Sequence, residues 1–225
     1  QHRPFFLFVS HITPHTPLQT IEKYSKRYEH LSDKRARIYA SMVASLDDSV
    51  GRIVKELESL GLSENTLIVF ASDNGCAGYI EGACSNAPYS GFKRYHQEGG
   101  IRIPLIMSWD NFLPRGLTYK QPVISLDLYS TFVAAAGHAG FSSIDSVNLI
   151  PFVKKEVNSS PHKYLYWRSG PTYAIRDERW KLMRYSVAPY TARDLGNDGR
   201  LTPPKGGWPH ELSSEKITLL YDLKA

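Results

Sequence analysis

The sequence predicts an α/β domain over residues 1–157, a mixed, mainly parallel sheet flanked by helices, followed by a small antiparallel-sheet lobe over residues 158–225. Three observations carry that prediction. Residues 4–10 and 66–71 are unbroken apolar runs, as expected of strands buried on both faces. Between them, Ile38, Met42, Leu46, Val50, Ile53, Leu57 and Leu60 recur at three- and four-residue steps, the stripe of one long helix. From about Asn158 the pattern shifts to short aromatic segments that alternate, as half-buried antiparallel strands do.

Each element follows from local chemistry. Thr13-Pro14-His15-Thr16-Pro17 can be neither helix nor central strand, so the first strand must end before it. The helix spans about Ser32 to Leu60 and stops at Gly61. Strand, helix and strand then form a right-handed crossover with parallel strands. Both strands finish on one rim, which brings His15 and the Asp73-Asn74 pair to the same edge. Residues 75–100 form a long connection punctuated by glycine and proline, a length uncommon unless the loop is functional or disordered. Ile101 to Trp109 reads as a strand, and Ser125 to Ala136 as a helix with Ser125 as N-cap and Gly137 beyond its end. In the lobe the strands are Tyr164–Arg168, Tyr173–Arg176, Trp180–Tyr185 and Leu219–Leu223, with a long excursion over Val187–Glu215.

Composition narrows the classes. With 225 residues and 42% hydrophobic content the chain can bury a sizeable core. No apolar run approaches the roughly 20 residues of a membrane span. The net charge of +5 is spread rather than gathered in a stripe, which argues against nucleic acid and suits an anionic substrate. Asp73 and Asn74 stand where a strand ends and Gly75 lets the chain turn. Adjacent carboxylate and amide oxygens there suit a hard cation such as Ca²⁺ or Mg²⁺, and the same tripeptide also suits an ordinary turn. Cys76 and Cys84 are compatible with a local disulfide in an exported protein or with two free thiols.

Taken in order, Pro14-His15-Thr16-Pro17-Leu18-Gln19, Ser72-Asp73-Asn74-Gly75, Asn86-Ala87-Pro88, Gly91-Phe92-Lys93 and Glu98-Gly99-Gly100-Ile101-Arg102-Ile103-Pro104 resemble the type I sulfatases. The likeness continues through Ser125-Leu126-Asp127-Leu128, Ile175-Arg176-Asp177, Trp180-Lys181-Leu182 and Leu220-Tyr221-Asp222-Leu223. It implies an alkaline-phosphatase-like fold, represented by its second half, and a sulfuric ester hydrolase acting on a carbohydrate or aryl sulfate. It further implies Ca²⁺ held in part by Asp73 and Asn74, and a formylglycine nucleophile. His15 would contact the sulfate and protonate the leaving group, and Lys93 would bind a sulfate oxygen. Glu98 and Arg102 are read as holding the turn and sheet edge together, while Asn86 and His96 could reach the pocket.

The modification segment of that family, Cys/Ser-x-Pro/Ala-x-Arg, does not occur around Cys76 or Cys84. The expectation is therefore the C-terminal portion of an exported sulfatase, inactive without an N-terminal portion that supplies the nucleophile. Rival readings are a phosphonate or phosphate-ester hydrolase of the same superfamily, and a non-catalytic lobe that binds sulfated glycans.

Overall fold

The computed structural model describes residues 3–78, 80, 82–140, 144–169, 172–185 and 217–224. They form two compact units. The first holds the chain up to Thr66 and Phe70–Leu105; the second holds Leu67–Val69 and the chain from Ile106 through the C-terminal sheet. Among the described residues no helix is long and apolar enough to cross a membrane.

In the first unit, a short helix α1 (Glu22–Ser25) packs against the long helix α2 (Lys34–Ser59). The predicted boundaries of α2 hold for identifiable reasons. Asp33 sits at the N-cap, and its carboxylate accepts the Ala36 N–H at 2.6 Å. At the other end Gly61 adopts φ 66°, with its N–H on Glu58 O at 3.0 Å and Leu62 N–H on Leu57 O at 2.8 Å. Those two bonds are the Schellman closure that a left-handed glycine permits. Of the apolar stripe, Met42 is buried and Leu60 is exposed.

Strand β1 (Ile68–Ala71) pairs with β2 (Leu105–Ser108). Ser72 N–H donates to Pro104 O at 3.2 Å, joining the end of β1 to the start of β2, so the two run in opposite senses. Two expectations are corrected here. Residues 4–10 are not a strand: Phe6 and Phe8 are 72% and 80% exposed, and no described strand pairs with them. An apolar run supplies side chains for burial but not the ladder partner a strand needs. The crossover unit built on that run is therefore not formed among the described residues. The strand expected from Ile101 begins only at Leu105, because Glu98–Ile101 closes into a helical turn, α3, through Arg102 N–H to Glu98 O at 2.8 Å.

The second unit is organised around helix α4 (Asp127–Ala135), followed by a short turn α5 (Ile150–Val153) absent from the sequence reading. Ser125 is not its side-chain cap. Asp127 takes the structural part instead, fully buried with both oxygens engaged. Its Oδ2 accepts Ile124 N–H at 2.9 Å, its Oδ1 accepts Val147 N–H at 3.0 Å, and His162 Nε2 lies 2.9 Å from both. One turn along, buried Thr131 accepts Leu149 N–H at 3.0 Å. These bonds tie three chain segments to one helix face, which satisfies polar groups that burial would otherwise orphan.

Beyond α4 and α5, strands β3 (Leu165–Ser169), β4 (Thr172–Arg176), β5 (Trp180–Tyr185) and β6 (Ile217–Asp222) form the expected antiparallel sheet in sequential order. The register sets Trp167 opposite Ala174, Ala174 opposite Met183 and Met183 opposite Leu219. Ala174 and Met183 are buried on that face with Trp167, Leu219 and Tyr221 packed round them. Alternation predicts this face because side chains two apart share it. Asp177 closes the β4–β5 turn by accepting Arg179 N–H at 2.8 Å and Trp180 N–H at 2.6 Å. Those two donors hold its carboxyl below the usual carboxylate range. The excursion over Val187–Glu215, Trp208 included, lies outside the described residues.

Replacing Asp127 by Ala leaves two backbone donors and His162 without their acceptor, and is expected to cost about 3 kcal/mol. Asp33→Ala, which removes one exposed cap, is expected to cost about 1 kcal/mol. Urea unfolding compares the two; equal losses would contradict the organising place of Asp127.

Candidate active site

Four residues singled out in the sequence lie in the first unit: His15, Asp73, Asn74 and Lys93. The chain leaves β1 at Ala71, and Ser72 Oγ–H donates to Asn74 O at 2.8 Å, folding the tight bend that presents Asp73 to solvent. Asn74 donates its side-chain N–H to Gly75 O at 3.0 Å, which leaves its carboxamide oxygen as an acceptor.

Gly75 is then pinned by its N–H to Gly100 O at 3.0 Å. A Cβ at Gly75 would collide with the carbonyl oxygen of Gly99, and one at Gly99 would strike the carbonyls of Ser90 and Gly91. The Glu98-Gly99-Gly100 run is thus required by close backbone approach. Its neighbours have structural tasks: Arg102 sets its guanidinium 4.5 Å over the Tyr89 ring, and Glu98 O accepts the Arg102 N–H.

The loop that carries Lys93 is seated on this bend. Lys93 N–H donates to Cys76 O at 3.1 Å, two residues beyond Asn74. Tyr95 N–H closes a turn onto Phe92 O at 3.0 Å, with Arg94 held at φ 85°. A non-glycine residue in that region is strained, and such strain persists only where surrounding contacts impose it. Burial pushes the Tyr95 hydroxyl up to about 12, against the opposing pull of the Arg94 charge. Cys76 and Cys84 form a disulfide, Cα to Cα 6.0 Å, which settles the two alternatives left by the sequence and removes both as nucleophiles.

Lys93 reaches across 78 positions of sequence to place Nζ 3.2 Å from His15 Nε2. His15 Nδ1 lies 2.8 Å from Thr16 O. A carbonyl can only accept, so Nδ1 carries the proton of the neutral ring and Nε2 offers its lone pair to the lysine ammonium. Once Nε2 is protonated, two cationic donors converge on one point, an arrangement fitted to an anionic oxygen. His96 is buried, and the Asn86 amide is spent on backbone groups rather than turned to solvent.

Asp73 and Asn74 offer hard oxygen donors at adjacent positions, the chemistry Ca²⁺ selects. They fit as part of a ligand set of the six to eight oxygens such an ion takes. Among the described residues no cluster of three or more His, Cys, Asp and Glu side chains gathers.

A family model described as sulfatase matches residues 1–138, more than half of the chain. The chain belongs to the sulfatase family. A second model, N-sulphoglucosamine sulphohydrolase, C-terminal, matches residues 91–200. The chain is 32% identical to the uncharacterized sulfatase YdeN of Escherichia coli over 78% of this chain and 32% of that protein. It thus spans about a third of the length of that curated relative. Among solved structures it is 35% identical to Ps i-CgsB in complex with k-i-k-neocarrahexaose, at TM-score 0.69, covering 76% of this chain and 39% of that one. A Bacteroides thetaiotaomicron protein from work on glycosaminoglycan metabolism superimposes over 99% of this chain and 45% of its own at TM-score 0.74, with 22% identity. Sulfatase neighbours of this kind show the alkaline-phosphatase-like fold.

A methyl group at Gly75 has no room against backbone, so Gly75→Ala is expected to destabilise the sulfatase chain by about 2–3 kcal/mol. Gly51, inside α2, has open space around it, and Gly51→Ala is expected to stabilise by about 0.5–1 kcal/mol. Thermal unfolding should move in opposite directions; a neutral Gly75→Ala would deny the close packing.

Proposed function

We propose that the protein to which this chain belongs hydrolyses sulfate monoesters, with His15 and Lys93 acting on the sulfate and Asp73 and Asn74 holding Ca²⁺. The single observation that carries the reading is the 3.2 Å approach of Lys93 Nζ to His15 Nε2, on a loop anchored two residues after Asn74. Sulfuryl transfer places negative charge on non-bridging oxygens and on the departing oxygen, so donors aimed there lower the barrier directly. Lys93 supplies fixed positive charge to an oxygen of the sulfate. His15, once protonated at Nε2, hands that proton to the leaving-group oxygen, the task of a general acid. Ca²⁺, when bound, would withdraw electron density from the sulfate oxygens as a Lewis acid.

The attacking group belongs, in this reading, to residues of the protein other than these. Family resemblance makes it a formylglycine in an N-terminal portion, since Cys76 and Cys84 are committed to each other. A carbohydrate sulfate is the preferred substrate class, supported by the likeness to a sulfatase-fold protein solved with a carrahexaose. Export to an oxidising compartment is supported by the disulfide. We also propose a division at residue 157, between the portion that carries these residues and a C-terminal lobe built on the sheet β3 to β6.

In the full-length protein, Lys93→Ala is expected to lower kcat/KM on a sulfate monoester about 100- to 1,000-fold. The same variant should shift the urea midpoint by less than about 1 kcal/mol equivalent, as surface-loop changes do. Chelation should abolish turnover and added Ca²⁺ restore it. A Lys93→Ala enzyme that turns over sulfate esters normally, or a wild type that prefers the matched phosphate ester, would overturn the proposal.

A further inference from the structure

We propose that Asn86 is a positioning residue, whose side-chain amide fixes the Lys93 loop against the segment that follows Asp73 and Asn74. Its Oδ1 accepts Cys76 N–H at 2.7 Å, and its Nδ2 donates to Cys76 O at 3.2 Å and to Gly91 O at 3.0 Å. The amide thereby engages both polar groups of the Cys76 backbone, as a neighbouring strand would, and uses its second N–H on the other loop. Cys76 O also accepts the Lys93 N–H at 3.1 Å, so one carbonyl receives both the clamp and the residue being clamped.

Ala and Ser are too short to bridge the two loops. Asp has nearly the same shape and keeps the acceptor for Cys76 N–H, yet it sets a carboxylate oxygen against the carbonyls of Cys76 and Gly91. Packing and hydrogen bonding are therefore separable at this position. A residue that merely fills space would tolerate Asp, whereas a clamp would not. The neighbouring backbone is too tight to compensate, because a Cβ on Gly99 would already crowd Asn86 Cβ at 3.0 Å.

The exchange arm of the test is independent of the proposed reaction; only the kinetic arm rests on that reading. Hydrogen exchange in the full-length protein should be at least about tenfold faster at the Lys93 amide in both Asn86→Asp and Asn86→Ala, and at the Cys76 amide in Asn86→Ala, with α2 and β3 to β6 at wild-type rates. Wild-type exchange at the Lys93 amide in Asn86→Asp would overturn the clamp. Loss of protection throughout the chain in both variants would overturn it too, by making Asn86 part of the general fold. In the kinetic arm, Asn86→Asp should lower kcat about 10- to 100-fold and add less than about twofold on a Lys93→Ala background, the non-additivity of residues acting as one. Effects that multiply in the double variant would overturn the positioning role. A wild type without sulfate-ester turnover would sink the reaction instead, and the exchange result would still decide the clamp.

Discussion

Direct contact between backbones, with no side chain between them, is the constraint on which the candidate site depends. Gly75, Gly99 and Gly100 lie where two loops and the short turn α3 touch, and each approach excludes even a methyl group. What this close packing achieves is precision with little secondary structure. Loops normally carry function at the cost of mobility. Here Gly75 N–H to Gly100 O, Gly99 N–H to Ser90 O at 2.7 Å and Lys93 N–H to Cys76 O act as rungs between loops. The Cys76–Cys84 disulfide closes the same region covalently. A lysine hung on such a frame keeps its charge in one place, which is what preorganised electrostatic stabilisation requires.

Much of the fold was legible because its period was long or its alternation clean. Helix α2 announces itself through seven apolar residues on one stripe, an aspartate at its start and a glycine past its end. The lobe strands are legible because aromatic and small residues alternate on two faces, and the observed register puts Trp167, Ala174, Met183 and Leu219 on one of them. Where the reading failed, the missing information was a partner rather than a propensity. Residues 4–10 have every intrinsic mark of a strand, but pairing is a tertiary event. Ser125 looks like a cap by type; Asp127 overrides it because a carboxylate can satisfy Ile124, Val147 and His162 together, which a hydroxyl cannot.

At the site, Asp-Asn-Gly after an apolar strand and a histidine between prolines were readable as chemistry. Their relation to Lys93 was readable only through a family resemblance, since nothing local links positions 15 and 93. The part of Asn86 could not be read at all. An asparagine before Ala-Pro in a loop has an ordinary explanation in local turn formation. Its bonds run instead to residues 10 positions back and 5 forward. The one usable signal was indirect: glycines at positions 75, 99 and 100 permit the close backbone approach that the Asn86 amide then bridges.

Charge explains why the site is split between two loops. A lysine and a protonated histidine side by side repel, and the carboxylate of Asp73 would neutralise either if it paired with it directly. Asp73 stands on a bend exposed to solvent, and Lys93 is anchored there through its backbone N–H on Cys76 O. Lys93 Nζ lies 3.2 Å from His15 Nε2, a contact that involves no carboxylate. The backbone rungs therefore seat the Lys93 loop on the bend after β1 through main-chain bonds and leave its side chain to reach His15.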